Sequence, residues 1–435
     1  MAVILAHTVA PDSPHFADHT RHLIALRLLP FLFAVYITNY LDRTSVAYAA
    51  IGMSRELGFT DRVFGLAAGV FFIGYVALQI PGAVLVERWS ARRVISATMI
   101  AWGSLTAFTA LVNTPGQLYV ARFILGAAEA GFFPGVVVYL SHWFLRKDRA
   151  KATSNFMAAI PISFVVGSPI AGWILSHQWF GVQGWRWLFL LEGLPAILLG
   201  IAAFFYLPDY PAEAQWLSTD QRQWTETSLR SEKIVAEQKI SIWQALRSKT
   251  ILLMAAVAFL YYFAFYTFIF WFPTMLKRLT GYSDMNVGLL GAFPYFALFL
   301  VMQINGWHSD RTRERRWHSV FPGFIATVGL MGLLLQPHSV PLALFCFVLI
   351  GIGNSYLPVF WAIPTEILTK SSAAAAVGMI NAIGSIAGFA GPFLFGYLNT
   401  RTGSFSAGLV VMIFSLLLGS FLMLCVPRNT PVRPA

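Results

Sequence analysis

Apolar runs of about twenty or more residues recur twelve times along this 435-residue chain: 24–49, 63–86, 93–112, 116–144, 150–176, 185–207, 250–276, 285–308, 317–336, 340–367, 372–399 and 404–427. A helix crossing the hydrocarbon core of a bilayer needs about 20 such residues, and helices satisfy every backbone polar group internally. The pattern therefore predicts an all-α integral membrane protein with twelve transmembrane helices. Charge supports this. Only 11% of the residues are charged, against about 25% in soluble domains, too few to coat a water-facing surface of this size. The net charge of +11 is high enough for a nucleic-acid binder, but such a protein gathers its cations on one face. Here they lie in short clusters between apolar runs, so the partner to expect is the lipid bilayer, with no nucleic acid.

Six runs precede residue 208 and six follow residue 249, separated by a polar stretch rich in Glu, Gln, Ser and Lys. The implied organisation is a tail (1–22), a six-helix bundle (23–207), a linker lying at the membrane surface (208–249), a second six-helix bundle (250–427) and a short tail (428–435). Loops after even-numbered runs carry most of the cations, among them Arg88, Arg92, Arg93, Lys147, Arg149, Arg311, Arg313, Arg315, Arg316 and Lys370. Positive loops stay in the cytoplasm, which places both termini and the linker there. Residues 1–20 lack the basic start and cleavage site of a signal peptide. Cys346 and Cys425 both fall inside apolar runs and read as small buried hydrophobes.

The halves repeat. Ala83 and Gly306, Glu87 and Asp310, and Pro169 and Pro392 are each 223 residues apart. Duplicated halves are common in transporters, with the substrate site between them near mid-membrane.

Ionisable groups at helix centres cost about 2.5–3.5 kcal/mol each on insertion scales and mark function. Asp42 and Arg43 lie on the first run, Arg122 and Glu129 on the fourth. Arg122 and Glu129 are two turns apart on one face, roughly 10 Å along the axis. That is long for a direct salt bridge and leaves space for a substrate, a water or a residue from another helix. The side chains of Asp42 and Arg43 diverge by about 100°, so each needs its own partner. A guanidinium fork suits a carboxylate. A carboxylic acid balanced between apolar surroundings and an arginine can take a proton in one conformation and release it in another. The alternative is a fixed structural network of four charges.

Other polar groups stand in apolar runs: Tyr75 and Gln79 on the second; Tyr261, Tyr262, Tyr266 and Trp271 on the seventh; and Asn354, Ser355, Trp361 and Asn381 near the end of the chain. Tyrosines of this kind serve helix packing as readily as a cavity, and Asn381 could hydrogen-bond a substrate hydroxyl or join two helices.

The loop sequences Ala83-x-Leu85-x-Glu87-Arg88 and Gly306-x-x-Ser309-Asp310-Arg311 resemble the cytoplasmic signature of the major facilitator superfamily. In the first copy Ala83 and Ser90 replace glycines and Glu87 replaces an aspartate. Asn39-Tyr40-Leu41-Asp42-Arg43, Gly131-Phe132-Phe133-Pro134-Gly135, Gly184-Trp185-Arg186-Trp187 with Glu192-Gly193, and Pro211-x-x-Ala214-x-Trp216-Leu217 resemble the anion:cation symporter family within it. The resemblance spans essentially the whole chain. It implies the major facilitator fold, two pseudo-symmetric six-helix bundles, in a multi-pass protein of the bacterial inner membrane. It also implies that Arg43 and Arg122 bind or organise an anionic substrate, that Tyr75, Trp361 and Asn381 contact it, and that Asp42 and Glu129 couple protons. Glu87, Arg88, Asp310 and Arg311 would act in gating, and Glu192 would be an anchor near the outer surface.

The resulting expectation is a monomeric transporter that imports a small organic anion with protons. Asn354, Ser355 and Asn381 favour a hydroxylated acid, while the aromatic seventh run keeps aromatic acids open. An exchanger, or a receptor on the same fold, remains an alternative. No metal-ligand cluster, phosphate loop or nucleophile–base pairing is present in the sequence, so neither a cofactor nor an enzyme is expected.

Overall fold

The computed structural model describes residues 14–234, 248–335, 339–367 and 370–427. It is helical along nearly all of that length, in the order the apolar runs predict. Span one is Pro14–Leu57 and span two Asp61–Arg88. Span three is Ala91–Thr109. Span four is broken into Pro115–Glu129 and Phe132–Trp143, and span five into Arg146–Met157 and Ala159–Leu175. Span six is Gly184–Tyr206. After the linker come span seven, Lys249–Thr280, span eight, Asp284–Thr312, and span nine, Arg316–Leu334. Span ten is Val340–Ile352 continued by Leu357–Ile367, with a tight turn of 3-10 helix, Gly353–Tyr356, between them. Spans eleven and twelve are Lys370–Thr402 and Ser406–Cys425. Eleven of these are long and apolar enough to cross a membrane by length and composition. Span three is the twelfth: Arg92, Arg93 and several Ser and Thr lower its hydropathy, yet it packs along span six.

The outer surface carries Phe205, Phe293, Phe321, Val328, Phe345, Phe414 and Phe421 exposed. An apolar exterior of this extent is that of a protein solvated by lipid. Cys346 is buried as expected, but Cys425 is exposed, because the last turn of span twelve turns that face outward.

Local chemistry sets the helix ends. Thr114 and Gln117 form a reciprocal capping box before Pro115, satisfying amides that the first turn leaves without partners. The Ser248 and Ser283 side chains cap spans seven and eight, accepting from the amides of Ile251 and Asn286. Two observed boundaries differ from expectation. The predicted tail is helical from Pro14, continuous with span one, and Arg21 pairs with Asp148 at 3.1 Å. The linker's first part docks on the first bundle: Tyr139 donates to the Pro208 carbonyl at 3.0 Å and Trp216 stacks on Trp143 at 5.7 Å. A helix, Thr219–Ile234, follows. Residues 235–247 and the predicted tail 428–435 lie outside the described residues.

The bundles meet along three seams: spans two with eleven, five with eight, and one with seven. Exchanging the halves turns two into eight and eleven into five, so the first two seams are the same contact used twice, as a duplicated chain requires. Both depend on glycine. A Cβ on Gly172 would lie 2.8 Å from the Cα of Gly288, and one on Gly65 would lie 2.5 Å from the Pro392 carbonyl oxygen. Backbones that close leave no space for a side chain.

These seams join at one end of the molecule, the far face, opposite the linker. There Asp61 of span two takes the fork of Arg278 of span seven at 2.7 and 2.5 Å and also accepts from Asn399 of span eleven. The Arg62 amide donates to Thr400 at 2.9 Å. On the linker face the ion pairs described stay within one half: Arg21–Asp148, Arg92–Asp209 and Arg315–Asp310.

Gly65→Leu should therefore loosen the far face selectively, at a cost of about 1–3 kcal/mol to the closed packing. In a Cys425→Ala background, maleimide labelling of Ser54→Cys, a position in the far-face cavity, is expected to rise. Unchanged labelling in a folded variant would contradict the seam assignment.

Candidate functional site

The four charges singled out in the sequence converge inside the first bundle. Span one supplies Asp42 and Arg43 from consecutive positions, and the helix turn sends them different ways. Asp42 accepts from Thr106 of span three. Arg43 reaches span four, where its Nε and one terminal nitrogen lie 3.2 and 2.7 Å from Oε2 of Glu129. Asn39, one turn earlier on span one, donates to the same oxygen at 2.9 Å. Arg122 donates to the Arg43 carbonyl at 3.4 Å. The gap of two turns between Arg122 and Glu129 is thus bridged by Arg43, a residue from another helix.

Burial makes the cluster costly. Asp42, Arg122 and Glu129 are 0% exposed and Arg43 7%. Buried polar groups normally find partners, yet Oδ2 of Asp42, Oε1 of Glu129, and Nε and one terminal nitrogen of Arg122 have none. Aromatic faces take part of the load: the Arg43 guanidinium carbon sits 5.0–5.2 Å from the ring centres of Tyr40, Phe71 and Tyr75, and that of Arg122 lies 4.8 Å from Phe71. Such contacts attract a cation that has lost water.

The second bundle approaches through span seven. Tyr266 packs on Phe72 at 4.5 Å between ring centres. Tyr262 receives a hydrogen bond from the Trp361 indole at 3.1 Å and packs against Gly384 of span eleven. Asn381 lies one turn from Gly384 on that span, half-buried. Tyr75, Trp361 and Asn381 thus border the junction that Arg43 faces. Asn354 and Ser355 are not brought there. They belong to the tight turn of span ten, which packs on spans eight and nine. Ser355 is fully buried, and its carbonyl accepts from Asn305 at 3.0 Å.

The gating candidates lie on the linker face. Asp310 pairs with Arg315 at 2.5 Å, and Arg311 lies over the Trp307 ring at 5.5 Å. Arg88 is exposed, and the Glu87 side chain lies outside the described residues. Ser90, where the signature has glycine, donates to Asp209 of the linker at 2.6 Å.

Glu192 is not near the outer surface as expected. It is 8% exposed, about 12 Å into span six from Gly184 at 1.5 Å per residue, with Ser45 and Asp42 as polar neighbours. Asn39 and Thr106 were also missed as members of the cluster. Asn39 stands one turn before Arg43, which is a readable signal, whereas nothing in the local sequence of Thr106 marks it.

Two alike six-helix bundles with a buried charge cluster facing their junction are the architecture of a secondary transporter. The sequence profile of the Major Facilitator Superfamily matches residues 32–392, and the chain belongs to that superfamily. A protein of Agrobacterium vitis named as a tartrate transporter is 38% identical over 94% of both chains. The inner membrane transport protein RhmT of Escherichia coli is 32% identical, covering 94% of this chain and 95% of its own. Among solved structures, a bacterial homologue of the human lysosomal transporter Spinster, in an inward-facing and occupied conformation, superposes with a TM-score of 0.76 at 19% identity, over 92% of this chain and 96% of that one. This is a multi-pass membrane transporter of small organic molecules and not an enzyme.

If the Arg43–Glu129 pair holds the cluster together, Arg43→Ala alone should cost about 3–5 kcal/mol, because a buried carboxylate loses its counter-charge. Adding Glu129→Gln should recover most of that. Thermal unfolding in detergent micelles tests it; equal losses in the single and double variants would contradict the pairing.

Proposed function

We propose that the protein imports a small organic anion together with protons by alternating access. The observation that carries the reading is the guanidinium of Arg43. It lies beside Tyr75 at the junction between the halves, and its fork is taken by the carboxylate of Glu129. A substrate carboxylate and Glu129 compete for the same two donors. Protonation of Glu129 weakens its hold on Arg43 and frees the fork for the substrate's bidentate hydrogen bonds. Substrate and proton then bind together, which is the requirement of symport. Asp42, held by Thr106, and Arg122, with donors unspent, keep the remaining charge balanced through the change. Tyr75, Trp361 and Asn381 line the route across the junction.

The loop cations favour a cytoplasmic linker face, with the protein in the bacterial inner membrane as a monomer. The far-face seams then form the closed periplasmic gate. The name of the Agrobacterium vitis relative supports a hydroxycarboxylate substrate. Tyr40, Tyr75 and Tyr262 around the junction favour an aromatic acid as the second reading.

The test uses proteoliposomes and whichever of tartrate, gluconate and benzoate the wild type takes up. Glu129→Gln should retain exchange of labelled for unlabelled acid and lose accumulation driven by an inward proton gradient. Accumulation by a folded Glu129→Gln protein would overturn the assignment of proton coupling to Glu129.

A further inference from the structure

The far face holds a cavity of about 290 Å³ that the cluster around Arg43 does not include. It lies between spans one, two and seven, with Arg55, Asp61, Trp271, Thr274, Lys277 and Arg278 in its wall. Its volume matches the lower end of ligand sites, roughly 300 Å³, which suits a small acid. Beneath it a void of about 10 Å³ shares Ala50, Phe64, Trp271 and Thr274 and reaches Ala47, one helical turn along span one from Arg43. The two spaces follow one another along span one, with Phe64 and Trp271 in the walls of both, and the inner one ends a helical turn short of Arg43.

Charge in the cavity is unbalanced. Arg278 is matched by Asp61 at 2.5 Å, and Lys277 by Asp284 at 2.7 Å. Among the described residues, Arg55 pairs only with the distant second oxygen of Asp284, at 3.9 Å, and its side chain is 65% exposed. Three cations meet two carboxylates. Moreover the fork of Arg278 is filled by a carboxylate of the protein itself, bound through both oxygens, and that same Asp61 also holds Asn399 of span eleven.

We propose that this cavity is the first-contact site for the organic anion on the periplasmic side. Arg55 attracts the substrate carboxylate, which then replaces Asp61 in the fork of Arg278. The exchange releases span two from spans seven and eleven, so arrival of the anion and opening of the far face become one event. The proposal rests on the reading of the protein as an organic-anion importer and names a second binding site for it.

Rim charges act on association and on its salt dependence. Arg55 also lies in the last turn of span one, where a cation complements the helix dipole, so the test must separate the two roles. In proteoliposomes, wild-type Vmax/KM should fall with rising ionic strength. Arg55→Glu should lower it about threefold or more and flatten its salt dependence, and Arg55→Lys should keep wild-type behaviour. A second measurement needs no transport. In an Arg43→Ala/Glu129→Gln/Cys425→Ala background, millimolar tartrate, gluconate or benzoate should speed maleimide labelling of Ser54→Cys, as opening of the far face does, chloride at equal ionic strength should not, and Arg55→Glu should abolish the increase. Wild-type Vmax/KM in Arg55→Glu, labelling left unchanged or slowed by the acids, or an increase that survives that substitution, overturns the first-contact site while leaving the importer reading intact. Failure of the wild type to take up any acid of the panel overturns both.

Discussion

The bond between Arg43 and Glu129 is the constraint around which the first bundle is arranged. A guanidinium and a carboxylate this deeply buried are tolerable only as a pair. The pair fixes the rotation of span one, since Arg43 must face span four, and that rotation drives the neighbouring Asp42 towards span three, where Thr106 meets it. It also explains Arg122. With Glu129 engaged by another helix, Arg122 is left with a backbone carbonyl and an aromatic face and with donors unspent. A cluster completed in this partial way can respond to a proton or an anion, whereas one with every group satisfied would be held in a single arrangement.

The second constraint is the close approach of glycine backbones along the two equivalent seams. These contacts lie towards the far face and leave ion pairs on the linker face confined within each half. The cluster and the seams are mechanically connected through span two, which carries Asp61 at the far-face end, Gly65 and Phe72 along the seam, and Tyr75 against Arg43. Span two is therefore the element that joins the Arg43 cluster to the far-face contacts.

Much of this was legible in the sequence. The twelve spans could be read because lipid demands length and apolarity, and the divergence of Asp42 from Arg43 followed from helix geometry alone. The separation of Arg122 from Glu129 correctly left space for a third group but could not name it, since contacts between helices depend on packing that periodicity does not encode. Span three was legible as a span although Arg92 and Arg93 dilute its hydropathy. Asn354 and Ser355 were indistinguishable in sequence from cavity residues, because a polar group in an apolar run has the same signature whether it faces a substrate or a neighbouring helix. Glu192 was misjudged for the converse reason: its distance from the helix end was countable, but its burial against Ser45 and Asp42 was not.

The most direct test of the central claim, that a carboxylate substrate and protons share the Arg43 cluster, is lumen pH in proteoliposomes loaded with a pH-sensitive dye. Sugar acids, dicarboxylates and aromatic acids are added outside, with Asp42→Asn as control. Acidification triggered by one class of acid, and absent from the control, is the predicted result. Uptake of labelled acid by the wild type with no change in lumen pH would contradict it.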